Sequence, residues 1–287
     1  MKEINTKFFG FLEIGDNHPT ILMGVLNLSP ESFYKGSIYE SPEEIKHGIN
    51  QMVTNGAKML DLGARSTAPW SKKITIEEEI RRIIPAMEIA CKTVPEKVVI
   101  TVDTQYEVVA RKAHDIAMKY GKPMMINDVS CLKTDPSLSD LLIEREIPVV
   151  LMASKKLPGD VLTVDEMIDV FSESISNLKK RGYDDKNIIL DPGIGKWIEE
   201  KVPKFDLSII NNLEKLRTLQ KPILIAISRK SFIGAALNLP EPEDRLNGTL
   251  SATSIAVYKG AHIVRTHNIN DQLRDIVKIA EQIRMNK

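Results

Sequence analysis

The feature that most constrains the fold of this chain is a regular alternation of short apolar segments with longer segments of helical periodicity. Several of the short segments are almost entirely apolar, which is typical of parallel strands buried on both faces and not of one-sided antiparallel strands. The alternation predicts eight strands, at residues 21–26, 58–62, 98–102, 123–127, 148–152, 188–190, 223–227 and 262–265.

The intervening segments carry helix start and stop signals. Ser41 and Glu44 have the spacing of a capping box, and Pro42 suits the first helical position. Helices are predicted at residues 42–55, 76–92, 105–120, 137–145, 164–181, 206–219, 249–258 and 271–284. Four glycines predict left-handed C-caps at helix ends: Gly56, Gly121, Gly182 and Gly260.

Eight strand–helix units without a large linker predict an α/β fold, a (β/α)8 TIM barrel that forms a single domain over residues 1–287. The doubly wound open sheet is the alternative, but no G-x-G-x-x-G follows the first predicted strand. Residues 1–19 precede the first strand and are expected to form an N-terminal extension, either a lid or a small hairpin at the bottom of the barrel.

Composition limits the classes of function. Lysine plus arginine and aspartate plus glutamate both count 39, so there is no general basic field for nucleic acid. Cys91 and Cys131 are too few for a disulfide framework or a cysteine metal site. No signal peptide is visible, and no apolar run approaches the roughly 18 residues of a membrane helix. We therefore expect a cytoplasmic protein that binds neither membrane nor nucleic acid.

Polar side chains follow seven of the eight predicted strands. The carboxyl ends of barrel strands meet at one mouth, where barrel active sites lie. The fifth strand is the exception, since Ala153 follows it. The candidate residues at the other ends include Asn27, Asp61, Ser66, Thr67, Asp103, Asn127, Asp191, Lys230, Ser231, Arg265 and His267.

These residue types indicate two kinds of ligand group. Asp103, Asn127 and Asp191 offer acceptors that can read the amino-substituted, amide-like edge of a heterocycle such as a pterin or guanine. Positive charge and donors for a phosphate or pyrophosphate come from Arg229, Lys230, Arg265 and His267.

Two further observations concern a metal and a nucleophile. Asn27 and Asp61 can support an oxygen-liganded Mg²⁺ through water. Neither H-E-x-x-H nor G-x-S-x-G occurs, so nothing supports acyl transfer. Together the groups predict a flat heterocycle that carries a diphosphate leaving group.

The segments at the strand ends resemble dihydropteroate synthase. Residues 23–33, M-G-V-L-N-L-S-P-E-S-F, are similar to the first-loop signature M-G-I-L-N-V-T-P-D-S-F, and residues 59–69, M-L-D-L-G-A-R-S-T-A-P, resemble I-I-D-I-G-G-E-S-T-R-P. V-D-T at 102–104, I-N-D-V-S at 126–130, L-D-P-G-I-G at 190–195, S-R-K-S-F-I-G at 228–234 and R-T-H at 265–267 follow in family order. The resemblance runs from about residue 21 to the C-terminus.

The resemblance implies a role for each candidate. It implies that the pterin edge is bound by Asp103, Asn127, Asp191 and Lys230. It implies that the pyrophosphate is held by Asn27, Arg265 and His267, with Asn27 also acting at Mg²⁺. Asp61 would support the first two loops, Ser66 and Thr67 would shape the site over the reacting carbon, and Lys230 and Ser231 would lie near the arylamine.

The resemblance also implies the reaction, the condensation of 6-hydroxymethyl-7,8-dihydropterin pyrophosphate with an arylamine, with release of pyrophosphate, in folate or related pterin cofactor biosynthesis. Mg²⁺ is the implied cofactor, and a homodimer formed through the outer helices is the implied assembly.

This chain departs from the family pattern at Arg65, Ala68, Trp70, Ala153 and Lys196. Most of these positions fall on the side of the second substrate, whereas the pterin set is intact. We therefore keep two arylamines open: p-aminobenzoate, and a bulkier amine with an extra anionic group, such as ribofuranosylaminobenzene phosphate, which Lys196 or Arg65 could bind. A solvated loop charge is the alternative reading of both cations.

Two other functions stay open at this point. The first is a pterin-dependent methyltransferase acting with a corrinoid protein, which does not need a pyrophosphate clamp. The second is a pterin-binding protein without activity, which the replacement at Ala68 keeps in view.

Overall fold

The computed structural model describes residues 2–30, 38–39, 41–66, 71 and 73–286. A short antiparallel hairpin comes first, formed by β1 (Asn5–Phe8) and β2 (Leu12–Gly15). The remaining strands all pair in parallel. They are β3 (Ile21–Asn27), β4 (Met59–Gly63), β5 (Val99–Asp103), β6 (Met124–Asp128), β7 (Val149–Met152), β8 (Ile188–Asp191), β9 (Leu224–Ile225) and β10 (Ile263–Thr266).

The eight parallel strands form a barrel. Their order is β8-β7-β6-β5-β4-β3-β10-β9, and a parallel bridge between Leu190 and Ile223 joins the two ends of that order. The amide of Leu190 donates to the carbonyl of Pro222 at 2.9 Å at this junction. The predicted (β/α)8 class and its eight strands are therefore confirmed.

Helices cover the outside of the barrel. They are α1 (Pro42–Thr54), α2 (Ile76–Thr93), α3 (Glu107–Lys119), α4 (Ser137–Arg145), α5 (Val164–Lys180), α6 (Pro203–Asn211), α7 (Ser231–Leu237), α8 (Leu246–Tyr258) and α9 (Asp271–Met285). The capping box of Ser41 and Glu44 is present, and Gly56, Gly121 and Gly182 have positive φ after their helices. No helix of the described ranges combines the length and apolar composition of a membrane span.

The helix prediction was wrong in two places. The single helix predicted at 206–219 is α6 followed by a 3-10 helix, Leu213–Leu219. Leu213 and Leu216 are both buried, and their three-residue spacing suits the tighter 3-10 turn. Helix α7 was not predicted because it is only seven residues long and follows the polar S-R-K motif.

The hairpin of β1 and β2 lies at the amino ends of the barrel strands. Phe8, Leu12 and Ile14 pack with interior residues such as Met23 and Met59 in one buried cluster. Asp16, which follows β2, accepts hydrogen bonds from Arg217 at 2.5 and 2.8 Å and lies 3.2 Å from Nε2 of His262. Of the two structures expected for residues 1–19, the described residues form the hairpin, and the opposite mouth of the barrel is left for the site.

Candidate active site

A cavity of about 330 Å³ lies at the carboxyl ends of the barrel strands. Its walls bring together nine of the predicted site residues: Asn27, Ser66, Asp103, Asn127, Asp191, Lys230, Ser231, Arg265 and His267. Asp61 does not line the cavity, and Thr67 lies outside the described residues. Convergence follows from strand register, since Asn27, Gly63, Asp103 and Asn127 are successive partners across β3 to β6.

Asp61 lies beneath the cavity floor, fully buried, and organises the residues above it. Arg265 Nε donates to its Oδ2 at 2.6 Å, and Asn127 Nδ2 donates to the same oxygen at 3.1 Å. Arg265 Nη2 also reaches Asp103 Oδ2 at 3.2 Å. Asp61 was expected to support the first two loops, of which residues 31–37 and 67–70 lie outside the described residues. Its described hydrogen bonds go to Arg265 and Asn127. It fixes their orientation by holding one cation and one amide.

Asn127 lines the cavity and keeps one side-chain acceptor uncommitted among the described residues. Asp61 accepts the hydrogen bond from its Nδ2, and this contact fixes which way the amide points. Oδ1 of Asn127 is buried and has no partner among the described residues. A buried acceptor without a partner is costly, so this oxygen is suited to an N–H donor of a ligand.

Burial raises the pKa of the two carboxyls that line the cavity, Asp103 and Asp191. Burial, together with the charge of Asp61, raises the pKa of Asp103 to about 8, although the charge of Arg265 acts in the opposite direction. Burial also raises the pKa of Asp191, whose Oδ1 accepts from the amide of Gly193 at 2.8 Å. Near neutral pH, Asp103 can therefore act as a donor or as an acceptor toward a heterocycle.

Lys230 reaches across the mouth to the loop that follows β8. Its Nζ donates to the carbonyl of Ile194 and lies 5.4 Å from the centre of the Trp197 ring. Burial lowers the pKa of Lys230 to about 8, and the charge of Asp191 limits that fall. Gly195 (φ +120°) makes room for this side chain, since a Cβ there would lie 2.8 Å from Cδ of Lys230.

The expected cations at the phosphate side behave differently from one another. Arg265 lines the cavity as a guanidinium paired with Asp61 and Asp103. Burial and the charge of Arg265 lower the pKa of His267 to about 3. His267 is therefore a neutral hydrogen-bonding group at pH 7, and its expected positive charge is not supported. Arg229 is not among the lining residues; it donates to the carbonyls of Pro242 and Glu243 at 2.9 and 2.7 Å.

Arg65 is not a solvated loop charge. Its Nε donates to Oε2 of Glu79 at 2.6 Å, and the guanidinium carbon lies 5.0 Å from the centre of the Tyr106 ring. Glu79 is fully buried and also accepts from Thr104 Oγ1 at 2.5 Å. Sequence reasoning missed Glu79 because an acid in the first turn of a helix is ordinarily explained by the helix dipole. The loop that carries Ser66 is thereby tied to α2 and β5.

The loop after β8 adds Trp197, which the sequence did not mark for a role in the site, and Lys196, which it marked as a candidate cation for an anionic group. Trp197 is half-buried in the cavity wall and stands against Gly159 (φ +66°), where a Cβ would lie 2.2 Å from Cγ of Trp197. Lys196 is exposed at the mouth and forms no ion pair with any residue that the structure describes. The missed apolar and loop members of the wall are Val129, Met152, Ala226, Pro242 and Arg245. Their positions depend on tertiary contacts, and no local pattern marks them.

The donor set limits the kind of metal that the cavity can hold. Over the described ranges there is no group of three or more His, Cys, Asp or Glu side chains with metal-binding geometry. Asn27 contributes one amide to the cavity. Mg²⁺ commonly takes one or two protein ligands and completes its shell with phosphate oxygens and water. The residues present therefore fit a Mg²⁺ bound together with a phosphorylated ligand, and they do not form an all-protein cage.

Comparisons with known proteins identify the family of the chain. Residues 23–267 match the family described as "Pterin binding enzyme". A dihydropteroate synthase from Bacillus subtilis (strain 168) is 36% identical over 255 residues, which are 89% of this chain and 86% of the relative. The crystal structure of the Yersinia pestis dihydropteroate synthase with a sulfonamide drug complex has a TM-score of 0.85 at 26% identity, covering 99% of this chain and 100% of that one. The dihydropteroate synthase from Coxiella burnetii in complex with pteroic acid has a TM-score of 0.84 at 30% identity, with the same coverage.

Proposed function

The chain belongs to the pterin-binding enzyme family, and from this membership and the geometry of its cavity we propose that it acts as a dihydropteroate synthase-type transferase. It would join the methylene carbon of 6-hydroxymethyl-7,8-dihydropterin pyrophosphate to the nitrogen of an arylamine. The observation that carries the proposal is a single cavity whose wall combines the acceptor residues Asp103, Asn127 and Asp191 with Arg265 and His267.

The acceptors of the cavity wall suit the pterin ring. Oδ1 of Asn127 would accept an N–H of the ring edge, because its own Nδ2 is already committed to Asp61. Asp103 and Asp191 flank that oxygen in the cavity wall and would bind the remaining ring donors. Lys230 lies at the rim, where its ammonium can donate to a ring acceptor once it leaves the carbonyl of Ile194.

The donors of the cavity wall suit the pyrophosphate. Arg265 is held by Asp61 and Asp103, so its guanidinium is oriented before a ligand binds. His267 is hydrogen-bonded through Nδ1 to Ser228 Oγ at 2.9 Å, which orients its ring. Asn27 would hold Mg²⁺, which supplies positive charge at the leaving group when it is bound.

The reaction breaks the bond between the methylene carbon and the pyrophosphate oxygen, and the electron pair leaves with pyrophosphate. The arylamine nitrogen forms the new C–N bond and then loses a proton. An aromatic amine is nucleophilic at neutral pH, so the residues would act by orientation and by stabilising the charge on the leaving group. Arg265 and His267 would stabilise the charge on the leaving group. The residues proposed to bind the pterin, Asp103, Asn127, Asp191 and Lys230, would orient the ring.

The second substrate would enter beside Trp197, Lys196 and Ser231. Trp197 offers an aromatic wall, and Lys196 is an exposed cation at the mouth, which suits an anionic group on the amine. Both p-aminobenzoate and a bulkier phosphorylated arylamine satisfy this chemistry. Turnover of the two amines by the parent and by Lys196→Met separates them: a loss confined to the phosphorylated amine supports the bulkier substrate, whereas equal or better turnover of p-aminobenzoate by the parent removes it.

The test of the function is pyrophosphate release on mixing the protein with the pterin pyrophosphate, Mg²⁺ and an arylamine. We expect release that requires the amine, and we expect Asn127→Ala to lose pterin binding. Asn212→Ala is the matched control, because Asn212 does not line the cavity and its side chain donates to the carbonyl of Ser208 at 2.9 Å. Methyl transfer from a methylated tetrahydropterin to a corrinoid protein, or tight pterin binding without condensation, would overturn the proposal.

Two further expectations accompany this function. A homodimer would cover apolar side chains on the outer helices, such as Ile255 on α8 and Ile279 and Ile283 on α9, which are at least half exposed. Light scattering of the purified protein checks the assembly. The cytoplasmic location stays a prediction from the sequence.

A further inference from the structure

A buried lysine–aspartate pair lies behind the loop that follows β8. The side chains of Lys201 and Asp206 are 0% and 1% exposed, and Lys201 Nζ lies 3.8 Å from Asp206 Oδ1. Burial lowers the pKa of Lys201 and raises that of Asp206, so burial works against the charge of both. A buried pair at this separation is a poor source of stability, because desolvation of both charges opposes their attraction. Stability alone therefore does not explain the pair.

The pair holds the backbone of the loop from outside the cavity. Lys201 Nζ donates to the carbonyl of Gly193 at 2.5 Å, and Asp206 Oδ1 accepts from the amide of Gly195 at 2.8 Å. Gly193 and Gly195 have φ of +68° and +120°, in the region that favours glycine. Such a backbone is intrinsically free, so its position depends on these external contacts.

Ile194, between the two glycines, is hydrogen-bonded through its backbone to two residues of the cavity wall. The carbonyl of Ile194 accepts from Lys230 Nζ and from Trp197 Nε1, the latter at 3.3 Å. The same three-residue segment is thus held by Lys201 and Asp206 on one side and supports Lys230 and Trp197 on the other. A shift of the segment would move both cavity residues together.

We propose that Lys201 is a positioning residue for the reaction: by holding the carbonyl of Gly193, it fixes the Ile194 carbonyl from which Lys230 and Trp197 are directed into the cavity. The inference rests on the proposed function. A lysine suits this position because its long side chain reaches a carbonyl with a charge-assisted hydrogen bond, which an apolar residue of the same volume cannot make.

The test compares two neutralised pairs in the full-length protein. Lys201→Met alone leaves Asp206 buried without its partner and can fail to fold, so Lys201→Met/Asp206→Asn removes both charges together. The matched control is Lys221→Met/Asp185→Asn, a second lysine–aspartate pair with its atoms 2.8 Å apart, in which Lys221 is buried and Asp185 is partly exposed, and whose residues do not line the cavity. All variants carry Trp70→Phe, which leaves Trp197 as the single tryptophan of the chain.

We expect Lys201→Met/Asp206→Asn to melt near the parent temperature, to lose kcat by roughly 100-fold, as misplaced reacting groups do, and to shift the emission of Trp197. The Lys221 control should keep both the turnover and the emission of the parent. Turnover and emission like those of the parent in the Lys201 pair, or equal losses in both pairs, would overturn the inference. Absence of pyrophosphate release by the parent refutes the proposed function instead, and the emission of Trp197 still tests the position of the loop.

Discussion

Lys230→Met should make the protein more stable at neutral pH while it abolishes turnover. Lys230 is a cation held in a buried cavity, where burial lowers its pKa from the ordinary value of 10.5 to about 8. Its described contacts are the carbonyl of Ile194 and the Trp197 ring. Methionine keeps most of the volume and removes the charge. The cavity would gain stability and lose the group that is proposed to bind the pterin, as is common at functional sites.

The magnitude follows from the two pKa values. Because the unfolded chain binds the proton more tightly, keeping Lys230 charged in the folded state costs about 3 kcal/mol at pH 7. The attraction of the Trp197 ring acts on the charged form and is already contained in the pKa shift. The substitution additionally removes the hydrogen bond to Ile194, which the neutral amine could still donate and which is worth about 1 kcal/mol. The net expected gain is about 2 kcal/mol, which corresponds to a rise in Tm of about 4 °C.

The pH dependence identifies the cause. The cost is fully present below pH 8 and disappears as the pH rises from about 8 to 10.5, where the unfolded lysine also loses its proton. Thermal melting of parent and variant from pH 7 to 10.5 should therefore show the advantage of Lys230→Met shrinking and then reversing. A variant that is less stable than the parent at pH 7, by an amount that does not change with pH, would refute the reasoning.

Three other substitutions test separate parts of the structure. Arg265→Lys cannot keep both contacts to Asp61 and Asp103. It should lower kcat/KM for the pterin substrate by roughly 100-fold, measured by pyrophosphate release. Full activity of this variant would contradict the role of Arg265. Gly159→Ala places a methyl group 2.2 Å from Cγ of Trp197 and should raise KM for the arylamine roughly tenfold with unchanged pterin binding by calorimetry; an unchanged KM would contradict the contact. Asp16→Asn should lower the free energy of unfolding by about 1–3 kcal/mol. Hydrogen bonds hold the pKa of Asp16 below its usual range despite its burial, so the loss should be present at pH 7 and fade below pH 4 in unfolding titrations; a loss that persists in acid would contradict this assignment.

The eight strands could be predicted from sequence because a parallel strand buried on both faces needs an apolar run, and such runs are rare elsewhere. Helix ends at Gly56, Gly121 and Gly182 were equally readable, since a left-handed C-cap favours glycine for a local steric reason. The break between α6 and the 3-10 helix could not be predicted from the sequence. Leu213 and Leu216 adopt the tighter turn because both are buried in the packed tertiary structure.

The sequence by itself determined which chemical groups collect at the mouth, because register in a parallel barrel brings strand-end residues such as Asn27, Asp103 and Asn127 into one layer. Only the tertiary structure decided what state those groups are in. Burial beside Arg265 makes His267 neutral, and the hydrogen bond to Asp61 commits the amide nitrogen of Asn127 and leaves its oxygen without a partner among the described residues. Lys201 gave no signal at all, since a lysine in a polar loop is ordinarily solvated; its role depends on the low dielectric and close packing that residues distant in sequence create around it.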